Sequence, residues 1–276
     1  MKILNRLRKS TGMLRNLPHK DDTPFLVVED LEVRYEGLPA LSGVDFKVAA
    51  GSRIAVVGPN GAGKSSLFKV IAGVLKATNG TVNISGHQPQ GHICIAYIPQ
   101  RSEVDWSFPA NVADVVMMGR TGKLGMLRRP KAEDWDFVHY CLDLVGMDDL
   151  AERQINELSG GQQQRMFIAQ TLAQEAELLL MDEPLSGLDL PSQEEVFTIL
   201  DELQSRGVTV MVATHDLGMA AARFDYVMLL NHKLLGFGTP QEVFTEESLK
   251  SAYGGHLQMI PTDDGTMVIG DTCCDD

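Results

Sequence analysis

The sequence predicts an α/β fold organised on a mainly parallel sheet, with an antiparallel β subdomain ahead of it and a helical subdomain inserted into it. Three observations carry that reading. Short, continuously apolar runs (RIAVV at 53–57, LLLMD at 178–182, VTVMVA at 208–213 and YVMLL at 226–230) have the character of strands buried on both faces. Segments with helical periodicity alternate with them, as crossover connections between parallel strands require. A glycine-rich turn, GPNGAGKSS at 58–66, joins the first such run to the first such helix.

Taken in order, residues 1–20 hold six Lys or Arg and no acid. Ile3, Leu4, Leu7, Met13, Leu14 and Leu17 give this stretch an apolar component, so it reads either as a solvated tail or as a basic amphipathic segment for an anionic surface or partner. From 21 to 57, FLVVEDLEVRY and VDFKVAAGS are β-like runs separated by turn signals. After the glycine turn, Leu67, Val70, Ile71, Val74 and Leu75 fall on one helical face. TNGTVNISG predicts a hairpin turning at Asn79-Gly80, and ICIAYI another buried strand. Residues 102–156 carry both tryptophans, the loop GRTGKLGMLRRPK and helical periodicity, which predicts the inserted subdomain. A helix over 191–206 has Pro191 at its start, Gly207 past its end, and Val196, Ile199, Leu200 and Leu203 on one face. A last helix follows Pro240 and leads into a weakly patterned acidic end. The division is therefore a basic extension at 1–24, the main domain at 25–245 with its helical subdomain at about 101–160, and a C-terminal extension at 246–276.

The bulk properties exclude several classes. A chain of 276 residues with 44% hydrophobic content can bury a sizeable core. A net charge of −13 argues against a nucleic-acid partner, which would require clustered cations. No apolar run is long enough to span a bilayer and the N-terminus lacks a signal-peptide pattern, so a cytoplasmic location is expected. Cys94, Cys141, Cys273 and Cys274 show no CxxC spacing, which predicts no disulfide framework.

The chemistry begins at the glycine turn. Gly58, Pro59, Asn60, Gly61, Ala62, Gly63, Lys64, Ser65 and Ser66 fit a phosphate loop in the strand-to-helix setting the pattern requires. Its backbone N–H groups and the helix N-terminus converge on phosphate oxygens, Lys64 reaches the β- and γ-phosphates, and Ser65 ligands Mg²⁺. An apolar strand ending in Asp182 sets a carboxylate at the same sheet edge to hold Mg²⁺ through water, and Glu183 is the candidate to orient or deprotonate an attacking water.

These elements define a nucleotide hydrolase of the P-loop class, and a further stretch, ELSGGQQQR at 157–165, narrows it. Leu158 to Gln162 resembles the signature of the ATP-binding cassette family, and other positions follow that family's order. Tyr35 in VRYEG matches the residue that stacks on adenine, and Gln100 in YIPQ the glutamine that contacts Mg²⁺ and water. Ser186–Asp189 matches the loop crossing the dimer centre, and His215 in ATHD the switch histidine. The resemblance, over about residues 25–245, implies ATP and Mg²⁺ as ligands and a head-to-tail homodimer. Ser159, Gly160, Gly161 and Gln162 of one copy would cap the γ-phosphate held by the other, with Asp189 near the centre. It also implies two separate permease subunits, an extracytoplasmic binding protein and a place on the cytoplasmic face of the membrane.

Residues 100–120 resemble those of manganese, zinc and iron-type importers, which makes manganese the first expected cargo and zinc the second. Iron chelates, haem, cobalamin, or an ATP-dependent association switch without transport are the alternatives. Trp106 and Phe108 either pack the subdomain or dock on the permease. His87 and His92 read as surface residues, and Gln163 and Gln164 as solvated continuations of the signature helix.

Overall fold

The computed structural model describes residues 24–89, 94–125, 128–254, 257–260 and 268–271. The basic segment 1–20, His92 and the Cys273–Cys274 pair lie outside the described residues.

The chain opens with a hairpin of β1 (Leu26–Tyr35) and β2 (Leu38–Val48), and β4 (Asn79–Ile84) pairs antiparallel on the other side of β1. The hairpin expected at Asn79-Gly80 is not there. Asn79 instead pairs with Glu32 of β1. Gly80 lies under the irregularity of β1 at Asp30, where an added Cβ would stand 2.2 Å from the Asp30 carbonyl oxygen. The turn sits further on, at Ser85-Gly86, where both residues have positive φ (49° and 82°) and Ile84 bridges to His87. That is the two-residue geometry whose twist matches antiparallel strands, and the sequence signal was the wrong Gly.

The second sheet has six strands in the order β5 (Ile95–Ile98), β6 (Leu178–Asp182), β7 (Thr209–Thr214), β3 (Arg53–Val57), β8 (Tyr226–Asn231) and β9 (Lys233–Gly238). The first five are parallel, as the continuous apolar runs predict, and β9 is antiparallel. Alternate residues of each strand serve opposite layers. Ile54, Val56, Leu180 and Met228 pack with the antiparallel sheet and helix α1 (Lys64–Ile71). Ala55, Val57, Leu179 and Leu229 pack with the remaining helices. Each fully buried aliphatic chain contributes about 1.5–3 kcal/mol, so the two layers fix the sheet edge on which the motif loops stand.

Helix α1 is shorter than its periodicity suggests. Gly73 takes φ 73° and the Val74 N–H returns to the Lys69 carbonyl, a left-handed helix stop. Val74 is therefore exposed, and the buried stripe is Leu67, Phe68, Val70 and Ile71.

Between β5 and β6 lie α2 (Val112–Met118), α3 (Thr121–Leu124), α4 (Ala132–Leu144) and α5 (Gly160–Gln174), the helical insertion expected from its texture. Arg120 ties it together. Its guanidinium pairs with Asp134 of α4 and with Glu175 past the end of α5, and lies 4.7 Å over the Phe137 ring. Then come α6 (Leu190–Ser205) and α7 (Leu217–Arg223). Instead of one last helix there are two, α8 (Pro240–Val243) and α9 (Glu246–Tyr253), because Thr239 and Thr245 each begin a new N-terminus with a capping box. Beyond α9, β10 (Leu257–Ile260) pairs antiparallel with β11 (Val268–Asp271). Among the described residues no helix is long and apolar enough to cross a membrane.

Candidate functional site

The C-terminal ends of β3, β5, β6 and β7 lie side by side, so the segments leaving them share one edge of the sheet, where ligands of open α/β folds bind. From β3 comes the loop 58–63. Gly58 is needed for a close approach, since a Cβ there would stand 2.0 Å from the Leu230 carbonyl oxygen. Gly63 has φ 99°, and its Cβ would lie 2.5 Å from Leu41 and 2.6 Å from the Ala40 oxygen. Asn60 and Gly61 are exposed at the loop's tip, and Pro59 accepts the Ala62 N–H at 3.1 Å. Lys64 begins α1 with its side chain folded beneath the loop, Nζ donating to the carbonyls of Gly58 at 2.7 Å and Pro59 at 3.1 Å. Burial lowers its pKa, and the nearby charges of Glu183 and Asp182 oppose that shift.

Asp182 ends β6 only 3% exposed. Burial raises its pKa, with the Glu183 charge acting in the same direction, while a hydrogen bond from Ser65 and the Lys64 charge hold it down. Among the described residues its Oδ2 is buried with no hydrogen-bond partner. An unpaired buried carboxylate oxygen costs on the order of 1–3 kcal/mol or more, and a hard cation or its water shell is the chemistry that would satisfy it.

Glu183 adopts φ 49°. This left-handed conformation costs a non-glycine residue about 1–2 kcal/mol. It is held by the Glu183 N–H donating to the Ala213 carbonyl at 3.0 Å and by Ser186 Oγ donating to Oε2 at 3.2 Å. His215, at the end of β7, has Nδ1 3.7 Å from Glu183 Oε1 with its ring largely exposed. Gln100 is exposed two residues beyond β5. Tyr35 is half-exposed, its hydroxyl 3.3 Å from Ser66 Oγ, which puts the ring beside the phosphate loop across 31 residues of sequence.

Ser159, Gly160 and Gly161 form the N-terminus of α5. Ser159 caps it, Oγ accepting from the Gln162 N–H at 3.3 Å while Gln162 Oε1 accepts from the Ser159 N–H at 2.9 Å. Gly161 faces α6, where a Cβ would meet Ser192 Oγ at 2.8 Å and Ser192 Cβ at 2.9 Å. Asp189 caps α6 through the Ser192 N–H, and hydrogen bonding by Ser192 holds its carboxyl below the usual range.

Two expectations on this helix are corrected. Gln163 is not solvated: it is 5% exposed, with Oε1 accepting from Arg101 Nε at 2.8 Å and Nε2 donating to the Leu158 carbonyl at 3.3 Å. Gln164 Nε2 is buried as well. The polar residue type suggested solvent, whereas the phase of Gln163 on α5 turns it inward and Gln164 is half-buried. Of the two tryptophan-segment aromatics, only Trp106 is seen packing the subdomain. Trp106 packs edge-on against Phe167 at 5.7 Å, and Phe108 is exposed. Sequence reasoning also missed His232, which occupies a one-residue turn at φ 54°. Its N–H donates to the Ala62 carbonyl, its carbonyl accepts from Ser42, and Nδ1 lies 3.1 Å from the Ala40 oxygen.

The chain is similar to known proteins over most of its length. The model of the ABC transporter family matches residues 41–186. The manganese transport system ATP-binding protein MntB of Bacillus subtilis is 43% identical, the match covering 84% of this chain and 94% of that protein. The zinc transport system ATP-binding protein TroB of Treponema pallidum is 44% identical, over 83% and 87% of the two chains. Among solved structures, a chain of an ABC transporter in an inward-facing conformation superposes with a TM-score of 0.76 at 30% identity, covering 90% of this chain and 96% of its own.

Proposed function

Because the chain belongs to the ABC transporter family, as an ATP-hydrolysing subunit, we propose that it energises import of a metal ion, manganese first and zinc second, through separate permease subunits. One observation carries the catalytic assignment: Lys64, the adjacent pair Asp182-Glu183, and His215, from three distant stretches of sequence, meet at one sheet edge, and Glu183 is held in a strained conformation facing His215.

In this reading the loop 58–66 binds the triphosphate with its N–H groups and the α1 N-terminus, and Tyr35 stacks on adenine. Lys64 exchanges its two loop carbonyls for β- and γ-phosphate oxygens. Glu183, set by Ser186, takes the proton of the attacking water, and His215 orients the γ-phosphate side. Ser65, Gln100 and Asp182 are the residues that would hold Mg²⁺, and the unpaired Asp182 Oδ2 fits that group. Bound there, Mg²⁺ would neutralise charge on the β- and γ-phosphates.

Ser159, Gly160 and Gly161 would supply a hydroxyl and helix N–H donors to the γ-phosphate bound by a second copy arranged head to tail, with Asp189 near the centre. The dimer would sit on the cytoplasmic face of the membrane with two permease subunits and an extracytoplasmic binding protein. The short helical insertion and the names of the relatives support transport of metal; the insertion and residues 100–120 support import. The test is uptake of manganese and of zinc by cells carrying wild-type or Glu183→Gln protein. Loss of manganese uptake with ATP still bound is expected. Unchanged uptake of both ions sinks the proposal.

A further inference from the structure

Arg101 follows Gln100 directly, and its guanidinium does not meet a carboxylate: among the described residues it forms no ion pair. It is instead spent on a buried neutral amide, Nε donating to Gln163 Oε1 at 2.8 Å. The other end of that amide donates to the carbonyl of Leu158, the residue before Ser159. Arg101 also lies beside the first signature glycine, since a Cβ on Gly160 would stand 3.4 Å from Nη1. Its own backbone is held by Trp106, whose Nε1 donates to the Arg101 carbonyl at 3.1 Å and whose ring packs on Phe167 of α5. A chain of contacts thus runs from the segment leaving β5, through Arg101 and Gln163, to the carbonyl that fixes how the backbone enters the signature turn. Together with Asp182 and Glu183, Arg101 and Gln163 line a cavity at this junction.

We infer that Arg101, through Gln163, is a positioning residue for the signature loop, so that it serves the active site of the partner copy and not the one its own phosphate loop builds. This rests on the head-to-tail reading above. The physical basis is that a hydroxyl and two N–H donors stabilise a phosphoryl transition state only when their direction is fixed beforehand, and the Leu158 carbonyl sets that direction. Lysine cannot replace arginine here, because the Nε donor beside the fork is what meets the amide.

The test uses heterodimers of the full chain, assayed for ATP hydrolysis together with co-purified membrane subunits, with one site silenced by Lys64→Ala. With Arg101→Met on the same chain as Lys64→Ala, the surviving site draws its signature loop from the altered chain. With the two changes on opposite chains, the surviving site takes its phosphate loop and Gln100 from the Arg101→Met chain. The first arrangement is expected to lose kcat by about tenfold, the equivalent of one lost hydrogen bond, and the second to stay within about twofold. Arg101→Lys should behave as Arg101→Met does, and adding Gln163→Leu to the Arg101→Met chain should cost nothing more.

Equal losses in the two arrangements, or a larger loss in the second, overturn the inference, because a general effect on folding cannot distinguish them. A control separates this from the reading beneath it. Lys64→Ala and Ser159→Ala on opposite chains should leave no intact site in one composite half and none in the other only if each loop serves its own copy's phosphate; in the head-to-tail arrangement the opposite-chain pair damages a single composite site twice and leaves the other whole, whereas the same-chain pair damages both. If that control shows no difference, head-to-tail assembly fails; if it behaves and the Arg101 pair does not, only the Arg101 inference fails.

Discussion

Replacing Asp182 by asparagine should make this protein more stable and inactive at once. Asp182 is 3% exposed, and its pKa is raised chiefly by burial, with Glu183 adding to the shift. A group whose folded pKa lies above its unfolded value contributes stability that is complete below the unfolded pKa, near 3.9, and is lost as pH rises through the folded one. At neutral pH the wild type therefore bears the cost of a buried, partly compensated charge, which Asp182→Asn removes.

The gain is bounded on two sides. Oδ2 has no partner among the described residues, and a carboxamide in its place still leaves a buried polar atom unpaired, so the cost of that orphan remains. The attraction to Lys64 and the Ser65 bond are also weakened. What is left is about 1 kcal/mol, or about 2–4 °C in Tm for a domain of this size. Calorimetry without nucleotide or divalent cation, at pH 7 and near pH 4, measures it. The Asp182→Asn variant should melt higher at pH 7, with the gap closing toward acid, while ATP turnover falls to background. A lower Tm at pH 7, or a gap independent of pH, refutes the reasoning.

Gly161→Ala should cost about 1–3 kcal/mol by forcing α5 away from Ser192, and adding Ser192→Gly should recover most of it in a thermal melt; no recovery means the contact is not the cause. His232→Ala should raise KM for ATP several-fold with kcat nearly unchanged, because the turn braces Ala62 and Ala40 and touches no reacting atom. His232→Asn, which tolerates positive φ and places an amide donor where Nδ1 stands, should restore KM, and a failure to restore it speaks against the brace. Glu183→Gln should abolish turnover while retaining ATP affinity and leaving a stable ATP-bound dimer; normal turnover in a purified sample removes Glu183 as the base.

How much of this was legible in the sequence follows from where each signal originates. The parallel strands could be read because burial on both faces demands unbroken apolar runs, and the phosphate loop because backbone that must approach other backbone closely admits only glycine. The ends of α6 were legible in Pro191 and Gly207, which are local chemistry. Local chemistry also misled. Asn79-Gly80 looks like a hairpin turn, and only the fold of β1 at Asp30 shows that its glycine is needed for contact between strands. The run Gln162-Gln163-Gln164 looks uniformly hydrated, yet one amide closes a cap, the next is buried against Arg101, and the third has its nitrogen enclosed.

By itself, then, the sequence determined the sheet, the phosphate loop and, through the resemblance its motifs carry, the family, because each depends on residues adjacent in the chain or on the period of one element. Tertiary structure alone decided that Tyr35 reaches Ser66, that His232, between β8 and β9, meets Ala40 of β2 and Ala62 of the phosphate loop, and that Arg101 is bonded to the signature helix 62 positions away. Those facts depend on which elements lie side by side, and a hydrogen bond between distant residues leaves no periodicity along the chain from which it could be read.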